Sequence, residues 1–386
     1  MDDRDGRGLH VLLGLTLFGI LLANLPGQAD VWPAADLPAI GDRTPGALDA
    51  LVWWSGQTLV SWTANILLAT GFGAWLALRQ DRLMRPSLGW MLLVGLLLAY
   101  LVWFGELLSL LALAGMVAVP MRALRPVTRL ITAVVLIGGT LFIVISGAAM
   151  TALLPASMDM GQLLGFDADR LAAVEAAHRA GYVAQLPGNM ATALQFHLIE
   201  LVFLGGGALG LVLVGMLALE AGFLGGRWPV MQYVLIAAVC LGTGLPLTGW
   251  AAAGSLAREF DPSGMWQSTT AHAVGALLNA AGCMALVALA VARDVLAPVQ
   301  RLLERAGQVW LSLYIAQILV GLLVFYALPG LALYGRLPPA ALAPVGLGLC
   351  AVQAGAVWAW SRHFRTGPAE WLLDGLSQRR FAPLRR

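Results

Sequence analysis

Several ionisable residues lie within long apolar stretches of this chain. Glu106 interrupts the apolar run 88–121, and His197 and Glu200 lie near the start of a second run, 193–219. A charged side chain at the centre of a bilayer costs at least ~2.5 kcal/mol, so an ionisable group that is kept there is a candidate for a functional role. We therefore take Glu106, His197 and Glu200 as candidate catalytic residues.

The spacing of His197 and Glu200 allows a specific chemistry. Residues three apart share one face of a helix, and a histidine beside a carboxylate is a unit that can accept or donate a proton. In this interpretation His197 acts as the base and Glu200 orients it. A buried pair that only holds helices together has the same spacing, so this structural interpretation remains open.

Glu106 also has a structural interpretation, as the first residue of a helix that follows a turn. The pair Gly105–Glu106 lies near the middle of the run 88–121, which is too long for a single span of about 20 residues. We expect the chain to reach the membrane surface and turn back there. A carboxylate at the N-terminus of the following helix is stabilised by the helix dipole by ~0.3–1 kcal/mol.

Other polar residues within apolar runs are candidates for substrate binding. His272 and Asn279 follow one helical stripe, which is also typical of a helix-packing seam, and Asn24 ends the first apolar run. With the topology below, Asn24, His272 and the three candidate catalytic residues fall at one depth, in the outer half of the membrane. They could converge on an outward-facing cavity. The spacing of the cysteines predicts no metal site.

Composition indicates the class of protein. The chain has 386 residues, of which 59% are hydrophobic and 11% charged, and its mean hydropathy is +0.80. These values are typical of an all-α polytopic membrane protein. We therefore expect the protein to be embedded in a lipid bilayer. The net charge of +2 gives no reason to expect nucleic-acid binding. All 23 basic residues are arginine, which excludes a lysine-dependent mechanism.

We predict a single membrane domain, 1–386, with ten spans. The segment 155–192 is expected to be an extracytoplasmic loop that contains an amphipathic helix, with Asp167 as its N-cap and Leu171 and Val174 on its apolar face. His178 in the same loop is expected to be solvated. Residues 361–386 form a tail. The predicted spans are 10–25, 51–78, 88–104, 106–121, 130–154, 193–219, 229–250, 269–292, 309–328 and 340–360.

The arginines predict the orientation. With both termini in the cytoplasm, 18 of the arginines lie inside and five lie outside, as the positive-inside rule requires. In the tail from Gly367 we expect an interfacial helix, with Trp371, Leu372 and Leu376 towards the membrane. The arginines at the end of the tail would contact anionic lipid at ~1 kcal/mol each. The sequence gives no indication of the oligomeric state.

Four motifs together resemble the YeiB-like family of bacterial membrane proteins, a family of unknown function. They are GLTLFGILLANLP near the N-terminus, GLLLAYLVWFGELL around Glu106, GQVWLSLYIAQ at 307–317 and GPAEW at 367–371. The family is similar in plan to transmembrane acyltransferases, so the resemblance implies a bacterial cytoplasmic (inner) membrane location and acyl-CoA as the acyl donor. Several polar family positions differ here, with Leu98 in place of a histidine and Asp374 in place of an arginine.

Three functions follow from these observations. The first is acyl transfer to an extracytoplasmic or lipid-linked acceptor, with His197 as base and Glu106 near the acceptor. The second is transport or flipping of a small polar or amphipathic solute through the same cavity. The third is a non-catalytic membrane partner that keeps the scaffold without the family's polar centre. The first is ranked ahead by a narrow margin.

Overall fold

The computed structural model describes residues 3–32, 46–79, 84–153, 166, 168–326, 330–381 and 383–384. These residues form helices and connections, with no β-strand among them. Asp167, Arg43, Arg82 and the last two arginines lie outside the described residues. The α-helices are α1 Asp3–Ala29, α2 Ala47–Leu59, α3 Thr63–Leu78, α4 Met84–Leu101, α5 Leu108–Met121, α6 Pro126–Met150, α7 Ala168–Ala180, α8 Tyr182–Ile199, α9 Gly205–Glu220, α10 Val230–Ala257, α11 Met265–Arg293, α12 Ala297–Gln308, α13 Trp310–Phe325, α14 Pro339–His363 and α15 Pro368–Gln378.

The helices are those of a multi-pass membrane protein. Eight helical stretches among the described residues are long and apolar enough to span a membrane. The bent pair α12–α13 makes nine if it counts as one span. Helix α5 is apolar but has only 14 residues. The prediction of an all-α membrane bundle is confirmed in this coarser form, and the count of ten spans stays a prediction.

Helix α5 is too short to cross a bilayer. Its 14 residues extend about 21 Å at 1.5 Å per residue, against a hydrocarbon core of about 30 Å. The turn 102–107 precedes it, and Glu106 in this turn has no exposed surface. The break after span 88–104 is present, and its position at the membrane surface stays a prediction.

The segment 155–192 contains more helix than expected. Helix α7 lies within it, but α8 already begins at Tyr182 and continues through a π-helical turn into α9, so the helix starts eleven residues before predicted span 193–219. Leu171 of α7 is buried against Phe325 and Tyr326. His178 is 8% exposed and stacks on Tyr334 with ring centroids 3.8 Å apart. The expectation that His178 is solvated was therefore wrong.

The predicted ninth span, 309–328, begins at a bend. Helix α12 meets α13 at 82° near Val309, and α13 itself has 16 residues. Helix α12 lies across α1 at very close range. A Cβ atom at Gly14 would lie 1.9 Å from the Leu303 oxygen, and one at Gly307 would lie 1.9 Å from the His10 oxygen. Only glycine allows the two backbones to approach this closely.

Ion pairs join the helices at the end of the bundle that we call the arginine-rich end. Buried Arg129 donates two hydrogen bonds to Glu220, 2.8 and 2.5 Å long, and Arg7 donates to Asp294 at 2.7 Å. Arg227 donates to buried Asp5. Several of the arginines at this end are thus paired within the protein. We call the opposite end, which carries Ala29, the turn 102–107 and Pro339, the arginine-poor end.

The tail helix α15 docks on the protein. Glu370 accepts hydrogen bonds from the Leu311 and Ser312 amides, at 2.7 and 3.2 Å, and so caps the N-terminus of α13. Leu373 is buried, whereas Leu372 is 45% exposed. Arg79 donates to Asp374 at 2.7 Å. A tail helix forms as predicted. Of its apolar side chains, Leu373 packs against the bundle and Leu372 is exposed.

Candidate functional site

The turn between α4 and α5 is held by a residue that the sequence analysis did not identify. Asn189 of α8 donates from Nδ2 to the oxygens of Ala99 and Tyr100, at 2.8 and 3.0 Å, and its Oδ1 accepts from the Phe104 amide at 3.1 Å. Buried backbone groups of a turn need such partners, because an unpaired buried donor or acceptor is costly. Asn189 lies in the segment predicted to be loop, and nothing in the sequence points to this contact.

Glu106 caps the N-terminus of α5. Its Oε2 accepts from the Leu108 amide at 2.6 Å, and both carboxylate oxygens lie 3.2 Å from the Ser109 nitrogen. The Leu107 amide donates to the hydroxyl of Tyr314 at 2.6 Å. The free N–H groups of the helix start are thus satisfied. The interpretation of Glu106 as a helix cap agrees with this geometry, although the cap is fully buried.

His197 lies beside this cap. Its Nδ1 donates to the Ala193 oxygen at 2.9 Å, so in the neutral ring Nε2 is the acceptor for the hydroxyl of Ser109, 3.0 Å away. Oε1 of Glu106 lies 3.9 Å from the same Nε2, and Tyr100 stacks on the imidazole at 5.4 Å. Both ring nitrogens therefore have partners within the protein.

Glu200 occupies a different position from the one expected. It begins a π-helical turn, Glu200–Leu204, between α8 and α9. Its side chain is 7% exposed and lines a cavity, and it lies near enough to Glu106 for the two to interact electrostatically. No described residue forms a hydrogen bond with its carboxylate, so the expected orientation of His197 by Glu200 is not present. Single π-helical turns are frequent at functional sites.

The cavity beside Glu200, which we call the large cavity, has a volume of about 1070 Å³. Its wall is mostly apolar, with Asn24, Asp30 and Asp49 among the polar residues towards the arginine-poor end. Three interruptions of helices contribute to this wall. They are the break 60–62 between α2 and α3, the turn 102–107 and the π-helical turn 200–204.

The candidate residues do not all converge. Glu106, His197 and Glu200 lie together, and Asn24 lines the same cavity as Glu200. His272 lies elsewhere, in a smaller pocket with its ring 5.2 Å from that of Trp62. Asn279 is buried between α10 and α11 and donates to Thr248 at 3.3 Å. The expected convergence of His272 with the other residues was therefore wrong, and Asn279 fits a packing seam.

The described residues contain no group of three His, Cys, Asp or Glu side chains that could hold a metal ion. The Ser109–His197 contact is the arrangement closest to an activated nucleophile, because a base lies within hydrogen-bonding distance of a hydroxyl. Ser109, however, has no exposed surface. Glu200 is therefore the ionisable residue of this group that a molecule in the large cavity would meet.

Comparison with known proteins gives a family match for one part of the chain. Residues 218–379 match the model of a family described as "Protein of unknown function (DUF418)". The matched part contains GQVWLSLYIAQ and GPAEW. It does not include the π-helical turn 200–204, which lines the large cavity. No curated protein and no solved structure matches the chain. The match supports a family of unknown function and carries no assignment of activity.

Proposed function

We propose that this protein binds an amphipathic, lipid-like molecule in the large cavity and moves it across the bacterial cytoplasmic membrane. One observation carries the proposal. Three helix interruptions and a buried carboxylate without a hydrogen-bond partner among the described residues, Glu200, line one mostly apolar cavity. Irregular backbone within a membrane is found where it is buried in protein or lines a cavity. Broken helices around such a cavity are typical of substrate sites in transporters.

Different residues of the large cavity would contact different parts of the molecule. Apolar side chains such as Leu111 and Leu277 line the wall and would contact the alkyl part of the molecule. Glu200 would contact its polar part, because a buried carboxylate needs a hydrogen-bonding or charged partner. Glu106 and Asn189 hold the backbone turn that forms part of the wall. Asn24 adds an amide to the same wall.

The orientation follows from the arginines. Placing the arginine-rich end in the cytoplasm satisfies the positive-inside rule and puts both termini there. The large cavity then lies in the outer half of the membrane and takes its molecule from the outer leaflet. The exposed arginines of the cytoplasmic face, such as Arg379 and Arg380, would contact anionic lipid.

Acyl transfer is the second candidate, favoured by the Ser109–His197 contact of 3.0 Å and by the resemblance to the YeiB-like family. In this function acyl-CoA supplies the acyl group. His197 would accept the proton of an acceptor hydroxyl as that oxygen attacks the thioester carbonyl, and the thiol of coenzyme A would leave. The burial of Ser109 and the two occupied nitrogens of His197 place this function second.

A translocation assay tests the proposal. The full chain is reconstituted in liposomes with a short-chain fluorescent lipid, and the fraction of label accessible to a membrane-impermeant reductant is followed over time. Protein should accelerate exchange between leaflets, and Glu200→Gln should slow it about tenfold, the effect of losing one buried hydrogen bond. Glu304→Gln at the arginine-rich end is the control and should leave the rate unchanged. Equal rates with and without protein would contradict transport.

A labelling assay separates the second candidate. Labelled acyl-CoA is supplied to inside-out vesicles, and label on lipid or glycan is compared between wild type and His197→Ala. Transfer of label that depends on His197 would show that acyl transfer, and not transport, is the function. If neither assay detects activity, both candidates lose their support and the non-catalytic membrane partner becomes the favoured function.

A further inference from the structure

A second, smaller pocket adjoins the large cavity at the arginine-poor end. Its volume is about 270 Å³, and we call it the aromatic pocket. Trp32, Trp53, Gln57 and Trp62 line both spaces. A molecule in the large cavity could therefore place one end in the aromatic pocket by passing between these four side chains.

The aromatic pocket contains buried polar groups without partners. His272 is 8% exposed, and its Nε2 has no hydrogen-bond partner among the described residues. The indole nitrogen of Trp53 also has none within the described part of the chain. Buried polar groups in proteins are nearly always hydrogen-bonded, so these two atoms are available to bond a molecule in the pocket.

The backbone beside the aromatic pocket is held in an unusual conformation. Glu259 and Phe260 are consecutive residues with φ of 48° and 62°, a left-handed region that side chains other than glycine rarely adopt. This conformation places the Phe260 ring edge-on to Trp53, with centroids 5.3 Å apart. Strained backbone of this kind is found at ligand-binding sites, where the surrounding structure maintains it.

The charges around the two spaces select among possible headgroups. Asp30 and Asp49 line the large cavity, so an anionic headgroup would be repelled on its way in. Arg258 and Asp261 both line the aromatic pocket, and Arg258 donates to Ser268 at 2.8 Å. The pocket thus has one positive and one negative side chain, and a charged headgroup would meet no net charge of opposite sign there. An uncharged headgroup avoids the repulsion by Asp30 and Asp49 and needs no counter-charge in the pocket.

The remaining chemistry suits hydroxyl groups. The aromatic pocket offers donors at Arg258 and Trp53, and both donors and acceptors at Gln57, Ser268 and His272. Its indole rings provide flat apolar surfaces against which the C–H face of a sugar ring packs. Pockets that combine aromatic walls with a few convergent polar groups are typical of specific ligand sites.

We infer that the aromatic pocket binds the uncharged, polyhydroxylated headgroup of the amphipathic molecule whose alkyl part occupies the large cavity. This inference rests on the proposed function, because it identifies the substrate as a glycolipid-like molecule. His272 hydrogen-bonds a headgroup hydroxyl, and Trp62 packs beside it. Glu200 contacts the polar part of the molecule that remains in the large cavity, where the headgroup joins the alkyl chain.

A binding measurement with matched probes tests the inference. The full chain in lipid nanodiscs is titrated with octyl glucoside, octyl phosphate and octyltrimethylammonium, all radiolabelled and all below their micelle-forming concentrations. The three probes share one alkyl chain and differ in headgroup. Octyl glucoside should bind saturably and about tenfold more tightly than the other two, a difference that one buried hydrogen bond accounts for. Tighter binding of either charged probe would overturn the inference.

Two variants of His272 test whether octyl glucoside binds in the aromatic pocket. His272→Ala should weaken octyl glucoside binding about tenfold, while His272→Gln, which keeps a donor and an acceptor, should restore part of it. Trp250→Leu is the control, because Trp250 is 55% exposed at the same end and lines neither space. Unchanged binding in His272→Ala would show that the headgroup does not bind in this pocket.

The outcomes separate this inference from the proposed function. Leu277→Trp fills part of the large cavity and should weaken all three probes equally. Loss of binding in Leu277→Trp together with wild-type binding in His272→Ala would keep the large cavity as a binding site and overturn only the headgroup assignment. Absence of saturable binding of every probe to the wild-type protein would overturn both.

Discussion

The hydroxyl of Ser109 lies 3.0 Å from Nε2 of His197, although the two residues are 88 positions apart. Ser109 lies in the first turn of α5, beside the Glu106 cap. His197 lies in the last turn of α8, three residues before Glu200. The contact therefore joins the end of α8, three residues before Glu200, to the start of α5, and residues of both segments line the large cavity.

A double-mutant cycle measures this contact. Ser109→Ala and His197→Phe each remove one partner, and the phenyl ring keeps the stacking on Tyr100. We expect a coupling free energy of ~0.5–1.5 kcal/mol between the two changes, the usual net value of one hydrogen bond. The measurement is thermal unfolding of the single and double variants. Strictly additive losses of stability would mean that the two side chains do not interact.

Asn189 should be the most sensitive polar residue of α8. In Asn189→Leu the oxygens of Ala99 and Tyr100 and the amide of Phe104 lose their partner. Each unsatisfied buried group costs ~1–3 kcal/mol, so the variant should unfold at a clearly lower temperature. Gln195→Leu on the exposed face of the same helix is the control and should unfold like wild type. Equal melting temperatures for both variants would contradict this role.

The docking of α7 should depend on pH. Burial lowers the pKa of His178 from its ordinary value of 6.5, so the docked helix binds fewer protons than the undocked one. The stability of docking is complete above pH 6.5 and is lost as the pH falls below it. Hydrogen exchange of residues 168–180, corrected for the intrinsic rate, should be faster in mildly acidic than in neutral buffer.

His178→Phe keeps an aromatic ring beside Tyr334 and cannot gain a proton, so it should abolish this pH dependence. His363→Phe is the control, because His363 is exposed, and it should retain the wild-type response. Persistence of the acid-induced exchange in His178→Phe would assign the effect to another group.

Removing residues 379–386 should weaken lipid association and leave the bundle intact. Glu370, Leu373 and Asp374, which dock α15, remain in the truncated protein. The lost arginines should each have contributed ~1 kcal/mol to binding of anionic lipid. Co-sedimentation with vesicles of neutral and anionic lipid measures the effect. A large loss of thermal stability on truncation would show that these last residues support the fold instead.

The sequence predicted the helices of the bundle well where long apolar runs have polar ends. It predicted the turn at Gly105–Glu106 because a charge in the middle of an overlong apolar run favours a break into two shorter helices. It missed the start of α8 at Tyr182, because the helix extends beyond the apolar part of its sequence. It also missed α12, whose amphipathic sequence resembles a charged loop until α1 covers one face.

The site was less predictable than the fold. The i, i+3 spacing of His197 and Glu200 predicted one shared face, but the π-helical turn that begins at Glu200 changes the direction of the side chains that follow. The contacts of His197 with Ser109, and of Asn189 with the turn, join positions more than 80 residues apart. Such pairings depend on tertiary packing, which no local pattern encodes.

The most direct test of the account is an experimental density map of the full chain in nanodiscs of bacterial lipid, obtained by cryo-electron microscopy. We predict elongated density in the large cavity, within hydrogen-bonding distance of the Glu200 carboxylate, with its wider end towards Trp62 and His272. The same density should be absent or weaker in Glu200→Gln. A wild-type map in which side chains fill the large cavity, or in which Glu200 is bonded only to protein, would contradict the account.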